Sequence, residues 1–180
     1  MSTTPSPEQV LARWRAREAD LRSPGNEPGI GRPEQFAGRS GMQVFEAMFK
    51  GEIPPPPICE TLDFLLVEAS PGHAEFQGRP LFEHYNPLGS VHGGWVATLL
   101  DSALGCAVHT LLPAGKTYTT VELKVNYVRS LSKSVPLVRA VADVIHLGGR
   151  IGSSQARLVG PDDVLYAHAT TTCLVMDMSK

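Results

Sequence analysis

Cysteine is scarce and poorly placed for either of its structural uses. The chain has three, Cys59, Cys106 and Cys173, an odd number at wide spacings with no Cys-x-x-Cys pair. That spacing excludes a disulfide framework and a zinc site of clustered thiolates, so the three read as reduced packing residues. Excess charge of either sign is also missing: 16 Lys and Arg stand against 18 Asp and Glu, for a net charge of -2. Without general basic character, nucleic acid is not an expected partner. Residues 1–20 lack the apolar core of a secretory signal, which leads to the expectation of a cytoplasmic protein. The longest apolar stretch, residues 95–112, carries Asp101, His109 and several hydroxyls, which argues against a membrane span. There is no phosphate-binding glycine loop, no dinucleotide fingerprint and no His-x-x-x-His pair, so no cofactor and no metal are expected.

What is present centres on His84-Tyr85-Asn86-Pro87-Leu88-Gly89-Ser90-Val91-His92-Gly93-Gly94, which runs straight into the apolar stretch. Proline and glycine make the first part a tight turn, and the Ala- and Leu-rich run behind it has the length of a helix. Val96, Leu99, Leu100, Ala103, Leu104, Ala107 and Val108 cover far more than one stripe, so the helix is buried nearly all round. One carboxylate, Asp101, lies within it. Desolvating an unpaired carboxylate costs several kcal/mol, so Asp101 either satisfies a buried donor or serves as a general base or nucleophile. The turn favours chemistry, because Gly93 and Gly94 put bare backbone N–H groups at a helix N-terminus, where an oxyanion is stabilised. Gly93 and Asp101 are eight positions apart, roughly 12 Å along one helix. They cannot both touch one carbonyl, which predicts a two-fold dimer with sites shared across its interface.

This pattern, with Asp nine residues after His92, resembles the signature of hot-dog-fold acyl-CoA thioesterases of the PaaI-like (phenylacetyl-CoA thioesterase-like) subfamily. The likeness continues through Thr119-Thr120-Val121-Glu122-Leu123, Tyr127-Val128-Arg129, Gly148-Gly149-Arg150 and Tyr166-Ala167-His168-Ala169-Thr170. It covers roughly residues 60 to 177. The resemblance implies hydrolysis of an acyl-CoA substrate, assembly as a dimer or dimer of dimers, and functional roles for Asn86, His92, Gly93, Asp101 and Thr120. Asn86 can orient a water or carbonyl oxygen, or it can be a turn residue before Pro87. His92 either contacts the thioester or fixes the turn. Strand alternation puts Thr119 and Thr120 on opposite faces, and the resemblance assigns the site to Thr120. Glu122 shares Thr120's face by the same alternation, whereas His109, two turns beyond Asp101, reads as structural. Coenzyme A phosphates need surface cations, for which Arg129, Lys133 and Arg150 are the candidates, with Gly94 as a further contact to substrate. A hot-dog hydratase or dehydratase and a non-catalytic acyl-CoA-binding module are the competing readings.

Along the chain, Ser6-Pro7-Glu8 marks the start of an amphipathic helix, residues 23–41 a linker, and Val44, Phe45, Met48 and Phe49 a second helix that ends at Gly51. Those last side chains fill a core or line an acyl tunnel. Pro54-Pro55-Pro56-Pro57 is a rigid spacer. Strands are expected at residues 61–68 and 73–77, then, after the central helix, at 118–128, 136–146, 151–158 and 164–176, joined by short turns. The fold class is α+β: an antiparallel sheet of about six strands round one long helix. Residues 1–57 form an N-terminal helical extension and linker, and residues 58–180 the hot-dog domain.

Overall fold

The computed structural model describes residues 5–22 and 27–178. The elements run α1 (Pro7–Leu21), α2 (Pro33–Phe36), α3 (Gly41–Phe49), α4 (Ile58–Thr61), β1 (Phe64–Ser70), β2 (His73–Gly78), α5 (Gly93–Thr110), β3 (Lys116–Tyr127), β4 (Val138–Leu147), β5 (Ile151–Val159) and β6 (Leu165–Asp177). The strands make a six-stranded sheet in the order β1-β2-β4-β5-β6-β3. Every neighbouring pair is antiparallel. Hairpins join β1 to β2, β4 to β5 and β5 to β6, while α5 carries the chain from β2 across to the far edge at β3.

The sheet curls round α5, whose Leu99, Leu100, Ala103, Leu104, Ala107 and Val108 are fully buried. Small residues on the sheet's inner face, Ala74, Ala140 and Ala142, let the helix approach closely and are themselves fully buried. Alternation therefore points the intervening Glu75, Gln77 and Arg139 to the outer face, where α1 lies. Ser6 caps α1 by accepting the Gln9 N–H, and the Gln9 side chain returns to the Ser6 N–H. On α1, Glu18 is buried and accepts from Gln77 at 3.1 Å, from Arg22 at 2.9 Å and from Arg79. The Arg139 guanidinium lies 4.6 Å from the Trp14 ring centre, and Arg17 donates to the Val67 carbonyl at 2.9 Å. The amphipathic helix read from the sequence thus packs on the body through a polar seam as well as through the buried Leu21.

Helix α3 packs against the C-terminal end of α5. The Gly41 N–H donates to the Leu112 carbonyl at 2.9 Å, and a Cβ at Gly41 would fall 1.7 Å from the His109 carbonyl oxygen. Only glycine allows that approach. Phe45 meets the His109 ring edge-on, with centroids 5.2 Å apart. The first and last strands of the sheet order, β1 and β3, are its two edges, and β3 is the longer, at 12 residues against 7.

Candidate active site

The loop before α5 is built by its own polar atoms. Asn86 Oδ1 accepts the N–H groups of Leu88 at 2.9 Å and Ser90 at 3.3 Å, and its amide donates to Ser90 Oγ at 3.0 Å. This is an Asx turn closed by a second bond, so the carbonyl oxygen of Asn86 is committed to the loop rather than to a ligand. Below it the His84 ring stacks on Trp95 with centroids 5.1 Å apart, and the Trp95 indole donates to the Leu62 carbonyl at 2.8 Å. The loop enters the helix in one fixed direction.

His92 is the N-cap of α5: its Nδ1 accepts the Gly94 N–H at 2.8 Å. That bond holds a neutral ring as the Nε2–H tautomer and leaves Nε2 at the exposed surface as a donor. It also corrects the expectation for Gly94, whose N–H is spent on the cap and is no bare donor. The Gly93 N–H, in contrast, has no hydrogen-bond partner among the described residues, as the first amide of a helix must when nothing caps it. The Gly93 carbonyl accepts from the Tyr127 hydroxyl at 2.9 Å. A side chain at 93 would meet the Tyr127 ring at 3.1 Å. Sequence reasoning met Tyr127 only within the Tyr127-Val128-Arg129 likeness and gave it no role. Gly93, Tyr127, Ser90, Arg129 and Tyr166 line a cleft of about 300 Å³.

Eight residues along α5, the half-buried Asp101 accepts from the Thr120 hydroxyl through Oδ1 at 3.0 Å. Thr119 is exposed and turned away. A bulge between Thr120 and Glu122 shifts the alternation of β3 by one residue. Glu122 is therefore exposed, with the Thr172 hydroxyl donating to it at 3.4 Å, and does not share the face of Thr120. Cys173 pairs with Thr120 across the sheet and is fully buried. Burial pushes the thiols up, Cys59 to about 11 and Cys106 to about 12, and Cys173 shifts the same way. None offers a thiolate nucleophile near neutral pH. Burial also lowers His109, which stays neutral. Among the described residues no three of His, Cys, Asp and Glu are grouped as a metal would need.

The cations separate. Arg129 lies in the cleft beside Gly93, and Lys133 is near it, its backbone N–H on the Tyr85 hydroxyl at 2.7 Å. Arg150 is not with them: its carbonyl accepts from Val175, at the opposite end of β6 from Tyr166, which accepts from Arg129. Nine residues of strand, roughly 30 Å, lie between.

The sequence profile of the thioesterase superfamily matches residues 88–171, the stretch that holds Gly93, Asp101, Thr120 and Tyr127. A protein of Halobacterium salinarum, provisionally named an esterase, is 36% identical over 92 residues, 50% of this chain and 59% of that protein. The match thus spans less than two thirds of that relative's length. Among solved structures, a phenylacetic acid degradation-related protein of Ralstonia eutropha superposes with a TM-score of 0.66 at 27% identity, over 72% of this chain and 98% of the other. A single-residue mutant of the phenylacetic acid degradation protein PaaI from Thermus thermophilus gives 0.59 at 27%, over 66% and 97%. With its six-stranded antiparallel sheet closed round α5, the chain has the hot-dog fold, and its residues 88–171 are similar to the thioesterase superfamily.

Proposed function

We propose that the chain hydrolyses the thioester of an acyl-CoA, with Asp101 as the general base or nucleophile and the Gly93 N–H of a second copy as the oxyanion donor. The observation that carries this is the pairing of a carboxylate fixed through one oxygen by Thr120 with a helix-terminal amide left unpaired. Thr120 holds Oδ1, which leaves Oδ2 to take a proton from water or to attack the carbonyl carbon directly. The Gly93 amide sits where the helix dipole adds positive character, suited to the oxygen that gains charge. The thiolate of coenzyme A then leaves: on the base route the added water makes the acid directly, and on the nucleophile route water hydrolyses the mixed anhydride left on Asp101 to release it. His92 Nε2, at the same turn, contacts the thioester, and Asn86 keeps the turn in shape.

The edge strand supports the second copy. Two β3 strands paired antiparallel about an axis near Leu123 and Lys124 set Thr120 of one copy close to Tyr127 of the other. Thr120 marks Asp101 and Tyr127 marks Gly93, so that one pairing completes two sites. It also carries the second copy's Arg150 toward the end of the sheet that holds Arg129 and Lys133, where the coenzyme phosphates bind. The test is release of free thiol from a panel of acyl-CoAs. Asp101→Asn is expected to lose at least a hundredfold in kcat with an unchanged circular dichroism spectrum. Full turnover in that variant, or saturable acyl-CoA binding with no thiol release by the parent chain, would remove the assignment.

A further inference from the structure

The largest cavity among the described residues is not the cleft at Gly93. It holds about 600 Å³ and lies under the N-terminal extension, walled by Val44, Phe45 and Met48 of α3, by Ile53, and by Phe64 and Phe76 of β1 and β2. It shares no lining residue with the cleft, and Asp101 is not in its wall. Asp101, Gly105 and His109 follow one ridge of α5 at i, i+4 and i+8. The space over the middle of that ridge is filled, because a Cβ at Gly105 would fall 2.6 Å from the Tyr118 ring. Phe45 and Met48 therefore wall a separate chamber rather than a tunnel to the carboxylate. Of the residues round it, only Cys106 and His109 fall in the stretch 88–171 that matches the thioesterase profile.

The walls hold this space open. The proline run 54–57 is stiff, and the Gly29 N–H pins it by donating to the Pro55 carbonyl at 2.8 Å. Glu52 fixes the start of the run, its N–H on the Ala47 carbonyl at 2.9 Å and its carboxylate 2.7 Å from Arg39. A rigid apolar chamber holds water poorly, and while it is unfilled its lining lacks dispersion contacts that an apolar ligand restores. Its volume is that of a small-molecule site.

One polar group of the core lines it. The ring nitrogens of His109 have no hydrogen-bond partner among the described residues, and neither is sealed in the packing. Burial lowers the pKa of His109, so the ring is neutral and offers one donor and one acceptor nitrogen. A hydroxyl answers either, since it both donates and accepts. A charged head finds no such partner. Arg22, the cation of the wall, is tied to Glu18 at 2.9 Å and to Asp63 at 2.6 Å, so a carboxylate is left without a counter-charge. An ammonium would meet only Glu27 and Glu60, which are exposed at the mouth and screened by water. We infer that this chamber is a second ligand site, for an uncharged apolar alcohol or phenol whose hydroxyl pairs with His109 and whose hydrocarbon part lies among Phe45, Met48, Phe64 and Phe76. The inference goes beyond the thioesterase reading and stands whether or not Asp101 performs hydrolysis.

Calorimetry on the full-length protein tests this with para-pentylphenol as the probe. The phenol is expected to bind at one site per chain, at least about tenfold tighter than para-pentylbenzoate or para-pentylbenzylammonium, whose charges resist desolvation. Met48→Trp, which fills the chamber from its own wall, abolishes binding, and Val44→Phe replaces it if that variant does not fold. His109→Phe keeps a ring against Phe45 and weakens the phenol roughly two- to tenfold, the range of one neutral hydrogen bond. In the Asp101→Asn chain, saturating decanoyl-CoA leaves the phenol's affinity unchanged. Absence of binding, binding that survives a folded filling variant, or equal affinity for a charged analogue would overturn the inference. Displacement of the phenol by decanoyl-CoA would also overturn it, by making the chamber part of an acyl-CoA site. Phenol binding by a parent chain that releases no thiol from acyl-CoAs would support it and discard the hydrolysis alone.

Discussion

At the level of single residues, the hydrogen bonds separate roles that one letter of sequence cannot. Asn86 in an Asx turn and Asn86 on a thioester have the same spacing to Pro87 and His92, and only the bonds to Leu88 and Ser90 assign it to the loop. Alternation alone puts Thr119 and Thr120 on opposite faces without saying which faces the helix; the family likeness points to Thr120, and the bond from its hydroxyl to Asp101 supplies the fixed point. Glu122 was misread because one extra residue in β3 leaves no mark in composition. A titrating pair away from the site makes a cleaner test. His73 lies 2.8 Å from Asp143. Burial opposes its charge, but the hydrogen bond and charge of Asp143, with Glu75 and Glu68 behind, outweigh burial and raise His73 above its ordinary value. A raised histidine stabilises the fold below its unfolded pKa near 6.5, and the contribution fades as pH climbs through the higher folded value. Asp143→Asn is therefore expected to destabilise the protein at pH 6 and much less at pH 9. Urea midpoints at the two values, with the His73 titration followed by NMR, check the sign.

Among the elements, α5 and the strands were readable because each has a long period with a clear stop: strands expected to begin at 73 and 151 begin there, and α5 starts at Gly93. The helices α2 and α4, four residues each, leave no mark in the sequence, where α2 falls within the linker and α4 between the proline spacer and the first strand, since one turn of helix shows no periodicity. The helix read from Val44, Phe45, Met48 and Phe49 is α3, and its partner could not be read at all. Contact with α5 depends on a missing side chain at Gly41, and glycine before a helix usually signals only a turn. Gly41→Ala is expected to destabilise the fold by about 1–3 kcal/mol, because its methyl group meets the His109 backbone and not a movable side chain. Chemical denaturation measures the loss. If the unfolding midpoint does not move, α3 is not fixed to α5 as described.

Across the whole molecule, the fold class was legible from the order of two strands, one buried helix and four strands, and the site was legible as parts but not as a set. Gly93 and Asp101 belong to one helix and yet cannot meet in one copy, so the proposed mechanism makes the chemistry a property of two chains. Mixing Gly93→Pro chains, which lack the amide, with Asp101→Asn chains is expected to restore up to about half of the sites in mixed dimers, each parent being inactive. Separate purification of the mixed species, followed by thiol release, reads the rescue directly; if folded mixed dimers show none, the shared site is refuted. One more consequence follows from where α1 lies. With Trp14 and Glu18 seated over Arg139 and Gln77, the convex side of β2 and β4 is already roofed. Two such molecules cannot stack these strands back to back, so any larger assembly must dock through loops, helix exteriors or the uncovered strands β5 and β6.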